Sequence, residues 1–587
     1  MAPHGEAPPP RHLVPENHAD RLAGIVAGDP SARGGRTFKE LATSQDSTKD
    51  EPCVLPPDVS AEQFARFVTG CRRIVGADNT FVNAGGEPEE ASYEKQPRFS
   101  DFFVLSESFE DNVASAAVRP ASVDEVREIV KLANETTVPL HAVSIGRNLG
   151  YGGTAPRLKG AVILDLKRMN KILEINEESG YCLLEPGVSY FDLYEEIHRR
   201  GLKLWIDCTD IGWGSVLGNA CDRGAGYTPY GDHFLFHSGM EVVLPTGDLI
   251  RTGQGAMSNT TTWQTFPYGF GPFHDGLFSQ SNLGVVTKMG FYLMPDPSSP
   301  GDSGFEAFLI TVPRREDLAE LIDRIRPLRL AMVIQNAPTI RHVLLDAACT
   351  KTKAEMWSGE GPIPEERIYE IADELNLGYW GFYGATYGPP PVRAGVWHTV
   401  WGSLSRIKGA KSFFQKDVGP ESILHSRAKT LSGTPNLLEL DWISFLPNGA
   451  HAFFSPISPV VGTEATAQCD LIEKRCKEYG FQFITTLVIG WRELHNICCL
   501  IYDRHDADQR RKMTQMIKQL IRDAAEHGWS EYRTANAFMD DVAATFDFNG
   551  GALMRFNETL KDALDPVGVL SPGKCGVWPK RYRGRGL

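Results

Sequence analysis

An α+β fold is predicted for this chain, and three observations predict it. Helical and strand patterns are mixed along the sequence without the regular strand–helix–strand alternation of a parallel α/β sheet. The texture changes at the turn cluster "DPSSPGDSG" (296–304), which marks a candidate domain boundary. The chain has 587 residues, 42% hydrophobic and 23% charged, an ordinary globular balance with enough length to bury a large core.

The elements follow in order. Residues 1–60 carry nine of the 38 prolines and a single aromatic, Phe38, so the first 55 or so read as a mobile extension. Over 58–76, Phe64, Phe67, Val68, Cys71 and Ile74 recur at helical spacing. "SVDEVREIVKLANE" (122–135) reads as a second amphipathic helix, with Ser122 as N-cap and Glu125 three residues on. "VPLHAVSIG" reads as a strand, "GMEVVLPTGDLIRTG" as a hairpin and "LGVVTKMGFYLMP" as another strand. Beyond residue 304, "VPRREDLAELIDRIRPLRLA" and "RIYEIADELNLG" read as helices, the second ending at Gly378. "GWRELHNICCLIYD" reads as a strand. "DADQRRKMTQMIKQLIRDAAEHG" reads as a long helix with Met513, Met516, Ile517, Leu520, Ile521 and Ala524 on one face.

Lys+Arg total 60 and Asp+Glu 74, a formal charge of −14. That balance argues against nucleic acid or an anionic membrane as partner, and no apolar run reaches the roughly 20 residues needed to span a bilayer. The 11 cysteines form no CxxC pair, which points to free thiols in a reducing compartment and against a structural zinc or other metal site. The N-terminus lacks a secretory pattern. The expected location is therefore intracellular, cytoplasmic or peroxisomal, although "RYRGRGL" is not the Ser-Lys-Leu address.

The glycines cluster. "SIGRNLGYGGTAP" places Gly146, Gly150, Gly152 and Gly153 directly after a strand, where backbone N–H groups can approach a phosphate. The run is neither a dinucleotide fingerprint nor a P-loop: Pro156 follows, no crossover helix fits before "GAVILDL", and no Gly-Lys-Ser/Thr occurs. A second cluster, "DIGWGSVLGNACDRGAGYTPYGDH", carries Gly212, Gly214, Gly218, Gly224, Gly226 and Gly231. Two such loops suit an extended phosphate-bearing cofactor such as a dinucleotide.

At these residues the sequence resembles the vanillyl-alcohol oxidase family of FAD-dependent enzymes, also described by the p-cresol methylhydroxylase flavin fold. The resemblance runs from about residue 55 to about 580. It is carried by "SIGRNLGYGG", "GSVLGNACDRGAGYTPYGDH", "HSGMEVVLPTGDLIRTG", "DGLFSQSNLGVVTK", "PTIRHVLLDAA", "LPNGAHAFFSPI", "GWSEYRTANAFMD" and "GVLSPGKCGVWP". It implies an FAD-binding domain formed by 56–300 and 527–587, with an α+β cap domain over 301–526. It implies oxidation of para-substituted phenols, such as vanillyl alcohol, eugenol or a 4-alkylphenol. The hydride leaves the benzylic carbon for the flavin and a para-quinone methide results. Dioxygen is the expected acceptor, giving hydrogen peroxide; a dehydrogenase using a cytochrome or another acceptor is the alternative, and a non-catalytic flavin scaffold a third reading. Relatives are dimers or octamers, so a homodimer or homo-octamer is expected.

Residue by residue, the resemblance assigns Tyr151, Tyr532 and Arg533 to stabilising the phenolate, which needs donors and a fixed cation because free phenols ionise near pH 10. Trp529–Thr534 reads as a loop after Gly528, from which adjacent residues can converge on one pocket. Asp210 matches the carboxylate beside the flavin, expected to act as base in water addition; Asp207 is its local competitor, and only the family register separates them. His451 matches the histidine that links covalently to the flavin. The family's activating histidine falls at Val104, and no histidine occurs between residues 92 and 140. Gly146, Arg147, Asn148, Gly150, Gly152, Gly153, Ser215, Gly218 and Asn219 are expected around FAD. Tyr227, Trp442, Phe453, Thr486 and Ile497 are expected around the ring of the substrate, whose flat face suits aromatic walls.

Overall fold

The computed structural model describes residues 52, 54–83, 112–209, 211–420, 422–446, 449–503 and 506–586. Almost all of the expected N-terminal extension, and both Val104 and Asp210, lie outside the described residues.

Helix α1 (Ala61–Val75) starts on a capping box: Ser60 Oγ accepts the Gln63 N–H and Gln63 Oε1 accepts the Ser60 N–H at 2.9 Å. Its stripe of Phe64, Phe67, Val68 and Cys71 is buried. Strands β1 (Thr80–Val82) and β2 (Ala116–Val118) precede α2 (Val123–Thr136). Ser122 caps α2, as its sequence predicts, but Glu125 reaches the Ala121 N–H at 2.7 Å instead of closing a box on Ser122. Strands β3 (Leu140–Val143) and β4 (Val162–Asp165) complete a sheet of order β1-β2-β4-β3. β3 and β4 run parallel. Their connection, residues 144–161, carries the first glycine cluster where a Rossmann unit would carry a helix. α1 and α2 share one core with this sheet.

The chain's last segment extends that sheet. Leu140 N–H donates to Val569 O and Ser571 N–H to Leu140 O, both at 2.7 Å, and Leu570 bridges Leu140 in parallel. Val569 and Leu570 join the α1–α2 core.

A second, antiparallel sheet follows. It contains β5 (Ile172–Asn176), β6 (Tyr181–Leu184), β8 (His237–Val243), β9 (Leu249–Arg251) and β10 (Val285–Tyr292), in the order β5-β6-β10-β8-β9. β7 (Leu204–Trp205) pairs with β11 (Met294–Pro295) beside it. Helix α3 (Tyr190–Arg200) packs in the core of this layer. The second glycine cluster is not one loop: helix α4 (Val216–Cys221) forms inside it, capped by Ser215, whose Oγ accepts the Gly218 N–H at 2.9 Å.

From residue 305 an antiparallel sheet dominates. Its order is β15-β12-β14-β13-β18-β19-β16, where β12 is Phe305–Val312, β13 Thr339–His342, β14 Trp380–Tyr387, β15 Lys411–Phe414, β16 Gly449–Phe454, β18 Thr485–Ile489 and β19 Glu493–Asp503. β17 (Ile457–Pro459) adds to β19. Helices α5 (Asp317–Leu330), α10 (Gly462–Tyr479) and α11 (Ala507–Glu526) share the sheet's core, and the predicted apolar face of α11 is buried. Between α5 and α10 lie α6 (Val343–Ala348), α7 (Glu365–Glu374), α8 (Pro390–Leu404) and α9 (Ile423–Leu431); α12 (Phe548–Leu564) follows α11. One predicted boundary is corrected: α7 ends at Glu374, where Asn376 turns the chain at φ 52°, and not at Gly378. Asparagine tolerates that left-handed turn. Gly378 serves packing, since a Cβ there would overlap the Val312 backbone.

Candidate active site

β3 ends at Val143 and passes the chain into the first glycine loop. Gly146, Gly150, Gly152 and Gly153 have φ of 72°, 74°, 119° and 55°, a region strained for L side chains. Two also lack room. A Cβ at Gly150 would lie 2.6 Å from His451 Nε2, and one at Gly152 would overlap the Asn536 amide. Asn536 fastens the loop: its N–H donates to Tyr151 O at 3.3 Å and its amide to Ala155 O at 2.5 Å. The segment after Tyr532–Arg533 is thus bonded to the loop that carries Tyr151.

In the second cluster, Gly218 packs against Ser144 too closely for a Cβ. Asp207, the local competitor of Asp210, is committed to structure. It accepts the Thr228 N–H at 2.7 Å and lies 2.6 Å from His233 Nε2, while His233 Nδ1 lies 2.6 Å from Asn219 Oδ1.

These segments line one pocket with the β18–β19–β16 end of the large antiparallel sheet. Gly146, Arg147, Asn148, Gly153, Ser215, Gly218 and Asn219 line it from the glycine clusters. Trp442, His451, Phe453, Thr486 and Ile497 line it from that sheet and the turn before β16, and Tyr151, Tyr227, Tyr532 and Arg533 complete it. Register explains this wall: Phe453 pairs with Cys499 and Thr486 with Ile497 on adjacent strands. Gly150 and Gly152, expected as cofactor contacts, stand behind the lining and make room for His451 and Asn536. Asp210 lies outside the described residues.

Tyr151, Tyr532 and Arg533 converge. The guanidinium sits 4.1 Å from the centre of the Tyr151 ring and 5.6 Å from that of Tyr532. Phe453 stacks on Tyr151 at 4.9 Å, and His495 meets Tyr532 edge-on at 4.7 Å. Burial pushes the Tyr151 hydroxyl above the usual phenol range, against an opposing pull from Arg533, so it stays a neutral donor. Burial works against the Arg533 charge, but the facing Tyr151 and Tyr532 oxygens and Asp222 outweigh it and hold the arginine charged. His451 is 1% exposed and has Trp442 and Phe453 rings at 4.9 and 4.7 Å. Burial lowers its pKa to about 3, leaving a neutral imidazole.

Sequence reasoning missed several lining residues. Asp222 receives Lys574 Nζ at 3.4 Å and the Asn148 amide at 3.1 Å. Gln280, at φ 47°, bonds both Asp222 O (3.3 Å) and Tyr532 O (2.8 Å), joining the second cluster to the Tyr-Arg loop. A local signal existed only for Lys574, inside "SPGKCG".

An FAD binding domain model matches residues 114–253, and a model of the C-terminal domain of FAD linked oxidases matches 443–575. The flavoprotein subunit of 4-cresol dehydrogenase [hydroxylating] from Pseudomonas putida is 32% identical over 526 residues, covering 89% of this chain and 98% of that protein. The chain belongs to the p-cresol methylhydroxylase/vanillyl-alcohol oxidase family of flavoproteins. Solved relatives agree. A 4-ethylphenol oxidase from Gulosibacter chungangensis, in complex with isoeugenol, superposes with a TM-score of 0.85 at 38% identity, covering 90% of this chain and all of that one. Substrate-bound p-cresol methylhydroxylase superposes at 0.84 and 32% identity, with 90% and 99% covered. The fold is thus an FAD-binding domain with an FAD-oxidase C-terminal domain, and the cofactor of this family member is FAD. The residues present fit it: two glycine clusters in which most Cβ positions are closed, a positive-φ run of backbone at the pocket wall, and Arg147 beside it.

Proposed function

We propose that the protein oxidises para-alkylated phenols at the benzylic carbon, with dioxygen as the electron acceptor. The observation that carries this reading is the convergence of Tyr151, Tyr532 and Arg533 on one pocket wall, two hydroxyls and a fixed charge suited to a phenolate oxygen. FAD supplies the two-electron acceptor. The protein's part is to bind the substrate as its anion, hold the ring between Trp442, Phe453 and Ile497, and keep bulk water away. Loss of hydride from the benzylic carbon leaves a neutral para-quinone methide. Water then adds there, its proton passing to Asp210 in this reading, or the neighbouring carbon loses a proton and an alkene forms. His451 is the group proposed to bond the flavin covalently. The same reading takes 56–300 with 527–587 as the FAD domain and 301–526 as the cap, and expects a dimer or octamer.

A second reading keeps the chemistry and changes the acceptor. It is favoured by the Pseudomonas relative's being one subunit of a dehydrogenase. One experiment tests both. Anaerobic 4-ethylphenol should bleach the flavin of the wild type and fail to bleach Tyr532→Phe/Arg533→Ala, with a loss of about 10²-fold or more. On admitting air, oxygen uptake with peroxide release supports the oxidase, and turnover only with an added dye supports the dehydrogenase. Unchanged bleaching in the double variant would show that the phenolate site is elsewhere.

A further inference from the structure

The residue before Tyr532 is a buried acid. Glu531 is 6% exposed and forms no ion pair among the described residues. Its Oε2 accepts the Ser455 N–H at 2.9 Å. Its Oε1 is buried without a hydrogen-bond partner of good geometry, and the Thr534 hydroxyl lies beside the carboxyl. The backbone is stitched at the same place: Pro456 bridges Glu531, and Ile457 N–H donates to Ser530 O at 3.0 Å. Ser455 directly follows β16, the strand of His451 and Phe453. One carboxyl therefore joins the strand of His451 to the loop of Tyr532 and Arg533.

We propose that Glu531 is a positioning residue of the phenolate site, holding the Tyr532–Arg533 loop against the end of β16 as a neutral acid. The inference rests on the function proposed above. A carboxylate here would be a buried charge with one good donor, and an unpaired buried charge is costly. Burial raises the acid to about 8, against smaller pulls from the Ser455 N–H and Thr534. Tyr532 and Arg533 follow it in its own loop, and His495 of β19 meets the Tyr532 ring at 4.7 Å. Arg533 is already turned to the two tyrosine rings. An ionised Glu531 would be a buried charge held by the Ser455 N–H, which loosens the loop that presents Tyr532 and Arg533 to a phenolate, so ionisation and phenolate binding disfavour each other. Glu531 is neutral below pH 8 or so; above it, phenolate binding weakens as the acid ionises.

The test uses holoenzyme and 4-cyanophenol, which has no benzylic hydrogen, with binding read from the visible flavin spectrum. Comparing wild type with Glu531→Gln cancels the ligand's own ionisation. The two dissociation constants should agree within about twofold at pH 7, and the wild type should fall behind by about tenfold at pH 9. Glu531→Ala should bind weakly at every pH. Superimposed profiles for wild type and Glu531→Gln, or wild-type binding by Glu531→Ala, would overturn the proposal. If Glu531→Gln loses FAD, proton uptake by the wild type on binding 4-cyanophenolate at pH 9 decides, and no uptake overturns it. Bleaching by 4-ethylphenol alongside any of these failures overturns this inference alone. No bleaching at any pH overturns the function beneath it as well.

Discussion

His451 reaches the pocket only because residue 150 is glycine, and burial keeps its ring neutral down to a pKa of about 3. A neutral imidazole keeps one ring-nitrogen lone pair at physiological pH, which bond formation needs. If it links the flavin, acid precipitation should leave the yellow colour in the wild-type pellet, and His451→Ala should release it to the supernatant. A colourless wild-type pellet would refute the link. The residues that lie together here were legible to different degrees. Tyr151, Tyr532 and Arg533 are 382 positions apart along the chain at their extremes (151 to 533), and no local pattern joins them; only the family strings did. Glu531 and Gln280 carried no signal, because what sets them apart is burial and a cross-chain bond, which sequence spacing does not encode.

Among the elements, the first glycine loop has tight tolerances. Gly152 combines φ 119° with an Asn536 side chain where a Cβ would stand. Gly152→Ala would have to move either the loop or Asn536, and Asn536 is what bonds the Tyr-Arg segment to the Tyr151 backbone. The backbone conformation alone costs on the order of 1–2 kcal/mol. The variant is expected to purify with less FAD and to melt several degrees lower, measured by the ratio of flavin to protein absorbance and by thermal unfolding. Full flavin content at an unchanged melting temperature would show that the loop adapts. Helices with caps and one apolar stripe were readable element by element, as α1, α2 and α11 show. α4 escaped notice because six residues holding a glycine have no helical periodicity, and it forms through the Ser215 cap and packing on Ser144. The end of α7 was misplaced because an asparagine took the left-handed turn expected of the glycine two residues on.

Over the whole molecule, three buried histidines titrate together. Burial lowers His141, His342 and His451 to about 3 each. Unfolding returns each to about 6.5, so between those values the unfolded chain binds more protons and stability falls as the pH falls. Each histidine should cost on the order of 1 kcal/mol by pH 5.5 relative to pH 7, seen as a falling melting temperature in pH-stepped thermal unfolding. A flat profile from pH 7 to 5 would mean that these rings are hydrated. No helix among the described residues is long and apolar enough to cross a membrane.

The bonding of Leu140 to Val569 and Ser571 bears on the order of events during synthesis. Ser571 and Lys574 line the flavin pocket that β3 opens, yet they leave the ribosome more than 400 residues after β3 does. The nascent chain can gather its first sheet and its cap, but the pocket stays one wall short until the final stretch emerges. Full flavin binding is therefore expected only after residues 571–574 have been made. A chain stopped near residue 560 should accumulate as colourless protein however much flavin the cell holds.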